Sequence, residues 1–110
     1  GVALDIDNLK IYFHKNGTYQ DSGDPTSGST GTGAAFTIAN PSVTGRNFYF
    51  PAVCYFDSST NATYHFNFGS GYFGTTKITS AGSNGNGSLF EYDVPTGYYA
   101  INTENIKDQS

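Results

Sequence analysis

Apolar residues recur at every second position in several segments of the chain, and no segment shows the spacing of an amphipathic helix. The clearest of these segments are residues 2–6, 9–13, 48–56 and 64–68. Because successive side chains of a β-strand point to opposite faces, this period indicates strands. Residues 48–56 are apolar on both faces, which predicts a central strand that is covered on both sides. The sequence therefore predicts an all-β protein.

The core is expected to consist of large side chains in the inward phase of these strands. Aromatic residues make up 16% of the chain, and aromatic rings pack well on a pleated, half-buried surface. The residues expected to be mostly buried are Leu4, Phe13, Phe50, Val53, Phe66 and Phe68. Cys54, the only cysteine, is expected to be a small buried core residue as well.

Turn signals divide the chain into short strands. Asn16-Gly17 is the strongest, because a two-residue hairpin turn needs positive φ at both central positions. Residues 21–33 and 80–88 are rich in Gly, Ser, Thr and Asn, so we expect both loops to face outward and carry variable contacts. Shorter strands are expected at residues 18–20, 35–38, 89–94 and 98–101. Short strands with frequent turns are typical of an antiparallel β-sandwich.

Charge and length narrow the classes of function. The chain has 110 residues, enough for one domain, and a net charge of -4 without a basic run. Phosphate recognition needs clustered Lys and Arg, so nucleic acid is not an expected partner. No apolar stretch is long enough to span a bilayer, so membrane insertion is not expected. We expect one domain at residues 1–106, followed by a polar tail at 107–110.

Three ordered motifs resemble the SPRY family. Gly1-Val2-Ala3-Leu4-Asp5-Ile6-Asp7 with the Lys15-Asn16-Gly17 turn, then Phe50-Pro51-Ala52-Val53, then His65-Phe66-Asn67-Phe68-Gly69, follow the order and rough spacing of the family's motifs. Near the end, Pro95-Thr96-Gly97-Tyr98 and the segment 100–106 are similar to the end of SPRY-like modules in large bacteriophage structural proteins.

The resemblance implies an antiparallel, concanavalin-like β-sandwich of jelly-roll type. SPRY domains carry further strands before the Gly-x-x-Leu-Asp segment, so the sandwich is expected to be incomplete in these residues. An upstream segment or a neighbouring subunit would then complete the first strand. The expected function is that of a structural or interaction module in a phage particle or tail fibre, located in the virion. It would mediate subunit assembly, homo-oligomeric or fibrous, or attachment to a host-surface protein or glycan.

Two other functions remain open. One is a cellular SPRY adaptor domain that binds a partner peptide, in the cytoplasm; the other is a carbohydrate-binding β-sandwich, located outside the cell. Enzymatic activity is not expected, because no nucleophile–base spacing is present. Asp5 and Asp7 are interpreted as outward polar residues, and His14 and His65 lack the further ligands that zinc requires. No metal and no cofactor are expected.

Exposed tyrosines are the main binding signal, because a tyrosine offers a rigid apolar face and a hydroxyl. Tyr12, Tyr19, Tyr49, Tyr55 and Tyr72 are expected at outward or loop positions, although packing on a second sheet is an equal alternative for some of them. The candidate binding residues are Tyr19, Arg46, Tyr55, Asp57 and Tyr72. If a eukaryotic cell secretes the chain, Asn16, Asn61 and Asn86 are candidate glycosylation sites.

Overall fold

The structure is a computed structural model that describes residues 1–42, 48–103 and 105. The six strands within these residues are β1 (Val2–Asp5), β2 (Lys10–Lys15), β3 (Thr18–Tyr19), β4 (Phe36–Thr37), β5 (Tyr72–Phe73) and β6 (Thr76–Lys77). Two single-turn 3-10 helices span Gln20–Ser22 and Gly28–Thr30. The pair Thr44-Gly45, which is typical of a turn, Arg46 and the polar tail at 107–110 lie outside the described residues.

An open antiparallel sheet of four strands is the main element. β2 is its central strand: β1 pairs with it along one side, and β3 and β4 pair with it along the other. The predicted hairpin between β2 and β3 is confirmed, with φ of 51° at Asn16 and 80° at Gly17. A second, separate sheet contains only β5 and β6. The described residues do not form the second layer of a sandwich.

The sheet has two faces of different environment. Ala3 is paired with Tyr12 on one face, and both side chains are buried, at 4% and 1% exposure. Val2 is paired with Phe13 on the opposite face, where the two side chains are 63% and 38% exposed. The period-two pattern therefore predicts the strands correctly but assigns the wrong face to the interior.

A covering loop, residues 20–33, closes over the Tyr12 face. The Ser27 hydroxyl lies 3.4 Å from the Tyr12 hydroxyl, and the Tyr98 hydroxyl donates a hydrogen bond of 2.8 Å to the carbonyl of Pro25. Pro25 is buried. Ser27 also accepts from the backbone N–H of Thr32 and donates to the carbonyl of Asp24, which fixes the loop on itself. The expectation that this loop only faces outward is wrong, because it provides the cover for Tyr12.

Asparagine side chains hold the C-terminal half together. Asn67 donates to the carbonyl of Leu89 and accepts from the N–H groups of Gly69 and Gly71. Asn105, 4% exposed, donates to the carbonyl of Ala100 at 2.9 Å and its N–H donates to Asn102. The expected strands at 64–68, 89–94 and 98–101 are not formed; a single parallel bridge joins Ser70 to Leu89. Side-chain amides replace a backbone ladder here.

The second Gly-rich loop, 80–88, is also braced from inside. The Asp93 carboxylate accepts from the N–H of Ser83 at 2.8 Å and from the N–H of Asn84 at 3.2 Å. Asn84 donates onward to the carbonyl of Val94 at 3.0 Å. Ser88 is buried. The loop therefore packs against the segment that follows it, so only part of it faces outward as expected.

The predicted core is the largest discrepancy. Phe13, Phe50, Val53, Phe66 and Phe68 are 38–71% exposed and Leu4 is half-buried. Cys54 is exposed, not buried. The expected central strand at 48–56 is not assigned as a strand. These predictions assumed a second layer over residues 48–68, and no such layer covers them in the described residues.

Candidate functional site: an uncovered sheet face, a free strand edge and an aromatic arm

An apolar patch covers one side of the main sheet. This uncovered face consists of Val2, Leu4, Ile11, Phe13 and Phe36, which share one side because Leu4 is paired with Ile11 and Ile11 with Phe36. Phe36 is 66% exposed and Val2 is 63% exposed. A contiguous apolar patch on a sheet is unusual for a monomer and marks an interaction surface.

The outer edge of β1 is available for pairing. The N–H of His14 donates to the carbonyl of Gly1 at 2.9 Å, so residues 1, 3 and 5 direct their backbone groups towards β2. In an antiparallel ladder the bonding direction alternates along each strand. The N–H and C=O groups of Val2 and Leu4 therefore point outward, and no strand of the described residues pairs with them.

A long segment that contains no strand carries most of the exposed rings. We call residues 48–68 the aromatic arm. Within it, Phe56 is fully exposed, Phe50 is 71% exposed and Phe48 is 65% exposed. No backbone–backbone hydrogen bond within the described part of the chain involves residues 48–66. The arm thus combines backbone without ladder partners and exposed apolar side chains.

A turn at Asp57 reverses the arm. Its carboxylate accepts from the N–H of Ser59 at 2.8 Å, from the Ser59 hydroxyl at 2.6 Å and from the Thr60 hydroxyl at 2.6 Å. These bonds favour the ionised carboxylate and lower the pKa of Asp57 to about 2, with the hydroxyl of Ser59 as the first cause. Asp57 therefore organises the arm's own turn.

Contacts of Tyr49 and Asn67 fix the two ends of the aromatic arm. The Tyr49 hydroxyl donates to the carbonyl of Ala39, at 2.5 Å, just beyond β4. On the returning limb, the rings of Phe66 and Phe68 stack with centroids 5.8 Å apart. Asn67 then ties this limb to Leu89. The arm is anchored at both ends, and its middle extends into solvent.

The whole chain exposes more surface than a compact monomer of its mass. The accessible surface is 7990 Å², whereas a folded monomer of 11.8 kDa is expected to expose about 5,900 Å². The radius of gyration is 15.0 Å, against about 13 Å for a compact domain of this length. The excess, roughly 2,000 Å², is larger than the ~800 Å² that one partner contributes to an interface of standard size.

The predicted binding residues do not form one site. Tyr19, at the end of β3, is half-buried, and its ring contacts Tyr12 and His14 at centroid distances of 6.4 and 5.2 Å. Burial raises the pKa of Tyr19. Tyr72, on β5, is 55% exposed and lies under the Lys77 ammonium at 5.7 Å.

Tyr55 and Asp57 belong to the aromatic arm, and Arg46 lies outside the described residues. Tyr12, expected at an outward position, is buried. Within the described residues, no hydrogen bond or ring contact joins any two of Tyr19, Tyr55, Asp57 and Tyr72. Phe50, expected in the core, is 71% exposed, and the same segment also exposes Phe48 (65%) and Phe56 (fully). The apolar character of both faces of residues 48–56 is the signal that this segment needs cover.

The possible glycosylation residues lie at the surface. Asn16, Asn61 and Asn86 are all exposed. The Asn86 amide donates to the side chain of Asn105 at 3.3 Å, so a glycan there would compete with the bracing of the 80–88 loop.

One polar cleft of about 260 Å³ opens beside the 80–88 loop. Its lining residues are Ser83, Asn84, Gly85, Asn86, Gly97, Tyr98 and Tyr99. Burial, followed by the nearby Asp5 carboxylate, raises the pKa of Tyr98 to about 12, so its hydroxyl stays protonated and donates to Pro25. Both donor positions of the Asn84 amide are engaged, by Asp93 and Val94, which leaves its carbonyl oxygen as an acceptor. The cleft can hold a small neutral, hydroxyl-rich molecule.

The remaining chemistry of the described residues is sparse. No group of three or more His, Cys, Asp and Glu side chains is arranged there to hold a metal ion. No helix in the described ranges is long and apolar enough to cross a membrane. The chain matches no protein-family profile, no curated protein and no solved structure.

Proposed function

We propose that the chain is a non-enzymatic structural module that assembles with neighbouring protein subunits through its aromatic arm and the uncovered face of its sheet. The observation that carries this proposal is the exposure of apolar side chains on the arm and on the uncovered face, including Phe50 at 71% and Phe36 at 66%. Burying such surface contributes about 25 cal/mol per Å², which gives a strong drive for association. Long-lived subunit interfaces are apolar in this way, whereas transient ones are more polar.

The assembled protein completes a β-sandwich in this proposal. The four-stranded sheet supplies one layer, and a neighbouring subunit supplies the layer that packs on its uncovered face. The resemblance to SPRY-like modules of bacteriophage structural proteins supports both the sandwich and the setting, a phage particle or tail fibre. A repeating particle protein has neighbouring subunits at high local concentration, which suits an interface of this kind.

Sedimentation over a range of protein concentrations tests this proposal. The parent chain is expected to form oligomers, and Phe50→Ser combined with Phe56→Ser is expected to shift the distribution towards monomer. Tyr99→Ser is the matched control, because Tyr99 is 49% exposed and lies outside the arm. A parent chain that remains monomeric at all concentrations, or an equal effect of both sets of substitutions, would contradict the proposal.

A second candidate function, attachment to a glycan, is favoured by the cleft beside the 80–88 loop. Tyr99 offers an exposed ring on which a sugar can stack, and Asn84 offers a fixed acceptor for a hydroxyl. Glycan-array binding that is lost in Tyr99→Ala and retained in Tyr55→Ala would support this function. Absence of binding to any neutral glycan would exclude it.

A further inference from the structure

We propose that residues 48–56 of one copy add as a strand to the free edge of β1 in a second copy. This inference rests on the proposed function and names its partner, a second copy of this chain, and its mode. Addition of an extended segment to a sheet edge uses backbone hydrogen bonds for affinity and side-chain contacts for specificity. Within the described residues the chain carries both halves of such an interaction, the unpaired edge of β1 and the apolar segment 48–56, which has no ladder partner.

The topology separates the two halves within one copy. β1 and β4 lie on opposite sides of β2. The Tyr49 hydroxyl donates to Ala39, so the start of the arm is fixed on the β4 side of the sheet. The segment therefore leaves the sheet at the side away from its own β1, and the β1 edge that it can reach is that of another copy.

The register follows from Pro51. Proline has no N–H and cannot donate to a ladder. A strand that contains Pro51 can pair only through the alternate residues, so Phe50 and Ala52 direct their backbone groups to the partner. β1 offers two matching residues, Val2 and Leu4, also at a spacing of two. Four backbone groups on each side can then pair.

Side chains agree with this register. Residues 50 and 52 would lie on the same face as Val2 and Leu4, which places the ring of Phe50 next to these two side chains and extends the uncovered face by one strand. Residues 48–56 carry no charged side chain, so the contact desolvates no charge from the arm. The added strand therefore buries part of the apolar surface that a single copy leaves exposed.

The contact is head-to-tail, because the donor segment and the acceptor edge are different surfaces. Contacts of this kind close into rings or extend as filaments. Each copy donates one segment and accepts one, so assembly is not limited to a dimer. This property fits a subunit of a fibre or a ring-shaped particle component.

Proline scanning with a matched pair tests the register. Ala52→Pro removes an N–H that faces the partner, and Val53→Pro removes an N–H that faces away. We expect Ala52→Pro to weaken self-association on the order of tenfold or more, the loss of one backbone bond plus a ring clash. Val53→Pro is expected to leave self-association within about twofold of the parent. Equal effects of the two substitutions would overturn the strand-addition proposal.

Cross-linking tests the partner and uses the native Cys54, which is exposed. A chain with native Cys54 is mixed with an isotope-labelled chain carrying Val2→Cys and Cys54→Ser, and a short bismaleimide is added. We expect a mixed cross-link between position 54 of one chain and position 2 of the other. A labelled chain with Thr96→Cys and Cys54→Ser, at an exposed turn, is the control.

The outcomes separate the two proposals. Oligomers that show no 2–54 cross-link above the control would refute strand addition and leave the proposed assembly function intact. A parent chain that is monomeric in sedimentation and gives no cross-link would refute both proposals. A 2–54 cross-link together with loss of self-association in Ala52→Pro alone would establish strand addition between copies.

Discussion

Tyr12 and Phe13 are consecutive residues of β2, and their rings lie in opposite environments: the tyrosine is 1% exposed and the phenylalanine is 38% exposed. The tyrosine is covered by residues 20–33, whereas the phenylalanine belongs to the uncovered face. The more polar of the two rings is therefore the buried one. The face of β2 that residues 20–33 cover, and not the hydrophobicity of its side chains, therefore determines which ring is buried.

Truncation of these two rings should have unequal effects on stability. We expect Tyr12→Ala to lower the free energy of unfolding by about 3–5 kcal/mol, and Phe13→Ala by about 1–2 kcal/mol because part of its ring is already in water. Tyr12→Phe, which retains the ring, should cost less than about 1 kcal/mol. Urea denaturation measures all three variants at a concentration where the chain is monomeric. Similar losses for Tyr12→Ala and Phe13→Ala would contradict the assignment of faces.

Two glycines test the packing of the covering loop. A Cβ on Gly33 would meet the carbonyl oxygen of Asp21 at 2.3 Å, whereas a Cβ on Gly87 would meet nothing within 4 Å. Both have positive φ, 59° and 79°, so alanine carries a similar backbone penalty at both, about 1–2 kcal/mol. We expect Gly33→Ala to be clearly more destabilising than Gly87→Ala in thermal unfolding. An equal decrease in melting temperature would show that the loop does not pack as described.

The raised pKa of Tyr98 predicts a loss of stability in alkali. Its folded pKa is about 12 against an ordinary value of 10.0, so the folded state holds the phenolic proton more tightly than the unfolded chain does. The stabilisation is fully present below pH 10 and is lost as the pH rises through about 12. Tyr98→Phe should lower stability at neutral pH by about 1 kcal/mol, through loss of the bond to Pro25, and should flatten this alkaline decline. Denaturant midpoints measured from pH 8 to 12 check both effects; a parallel decline in the variant would contradict them.

The asparagine network predicts a difference between two asparagines of the returning limb. Asn67 makes one donated and two accepted hydrogen bonds to backbone groups, whereas Asn61 is exposed. Asn67→Ala leaves three backbone groups without their partner, and we expect a loss of about 1–3 kcal/mol. Asn61→Ala should lie within about 0.5 kcal/mol of the parent. Hydrogen exchange at the N–H groups of Gly69 and Gly71 should accelerate only in Asn67→Ala.

The sequence predicts the elements that depend on local chemistry. Asn16-Gly17 specifies its hairpin because two consecutive positive φ values need residues of this type, and the alternation in residues 2–5 and 10–15 specifies two strands. The same alternation cannot say which face is covered. That choice depends on the covering loop, whose Ser27 hydroxyl lies 3.4 Å from the Tyr12 hydroxyl and whose Pro25 carbonyl accepts from the distant Tyr98.

The prediction of a central strand at residues 48–56 is wrong for a related reason. Apolar character on both faces of residues 48–56 indicates a strand between two layers. The segment can be buried in this way only if both layers are present. Of the candidate site, the resemblance to the SPRY pattern predicts that the first strand lacks a neighbour in these residues, and completion of its edge by an upstream segment or an adjacent subunit stays a prediction. The exposure of Phe50 and Phe56 could not be predicted from the sequence, because it depends on whether a second layer packs on residues 48–56. No such layer is formed by the described residues.

The hydrogen bond from Tyr98 to Pro25 spans 73 positions of the chain, and this separation sets an order of events during synthesis. Residues 1–37 can form their hairpins as soon as they leave the ribosome, since β1 to β4 pair locally. The covering loop over Tyr12 cannot be fixed by this bond until residue 98 has emerged. The sheet of a nascent chain therefore lacks this contact while residues 38–97 are made, and contacts of such long range slow the final step of folding.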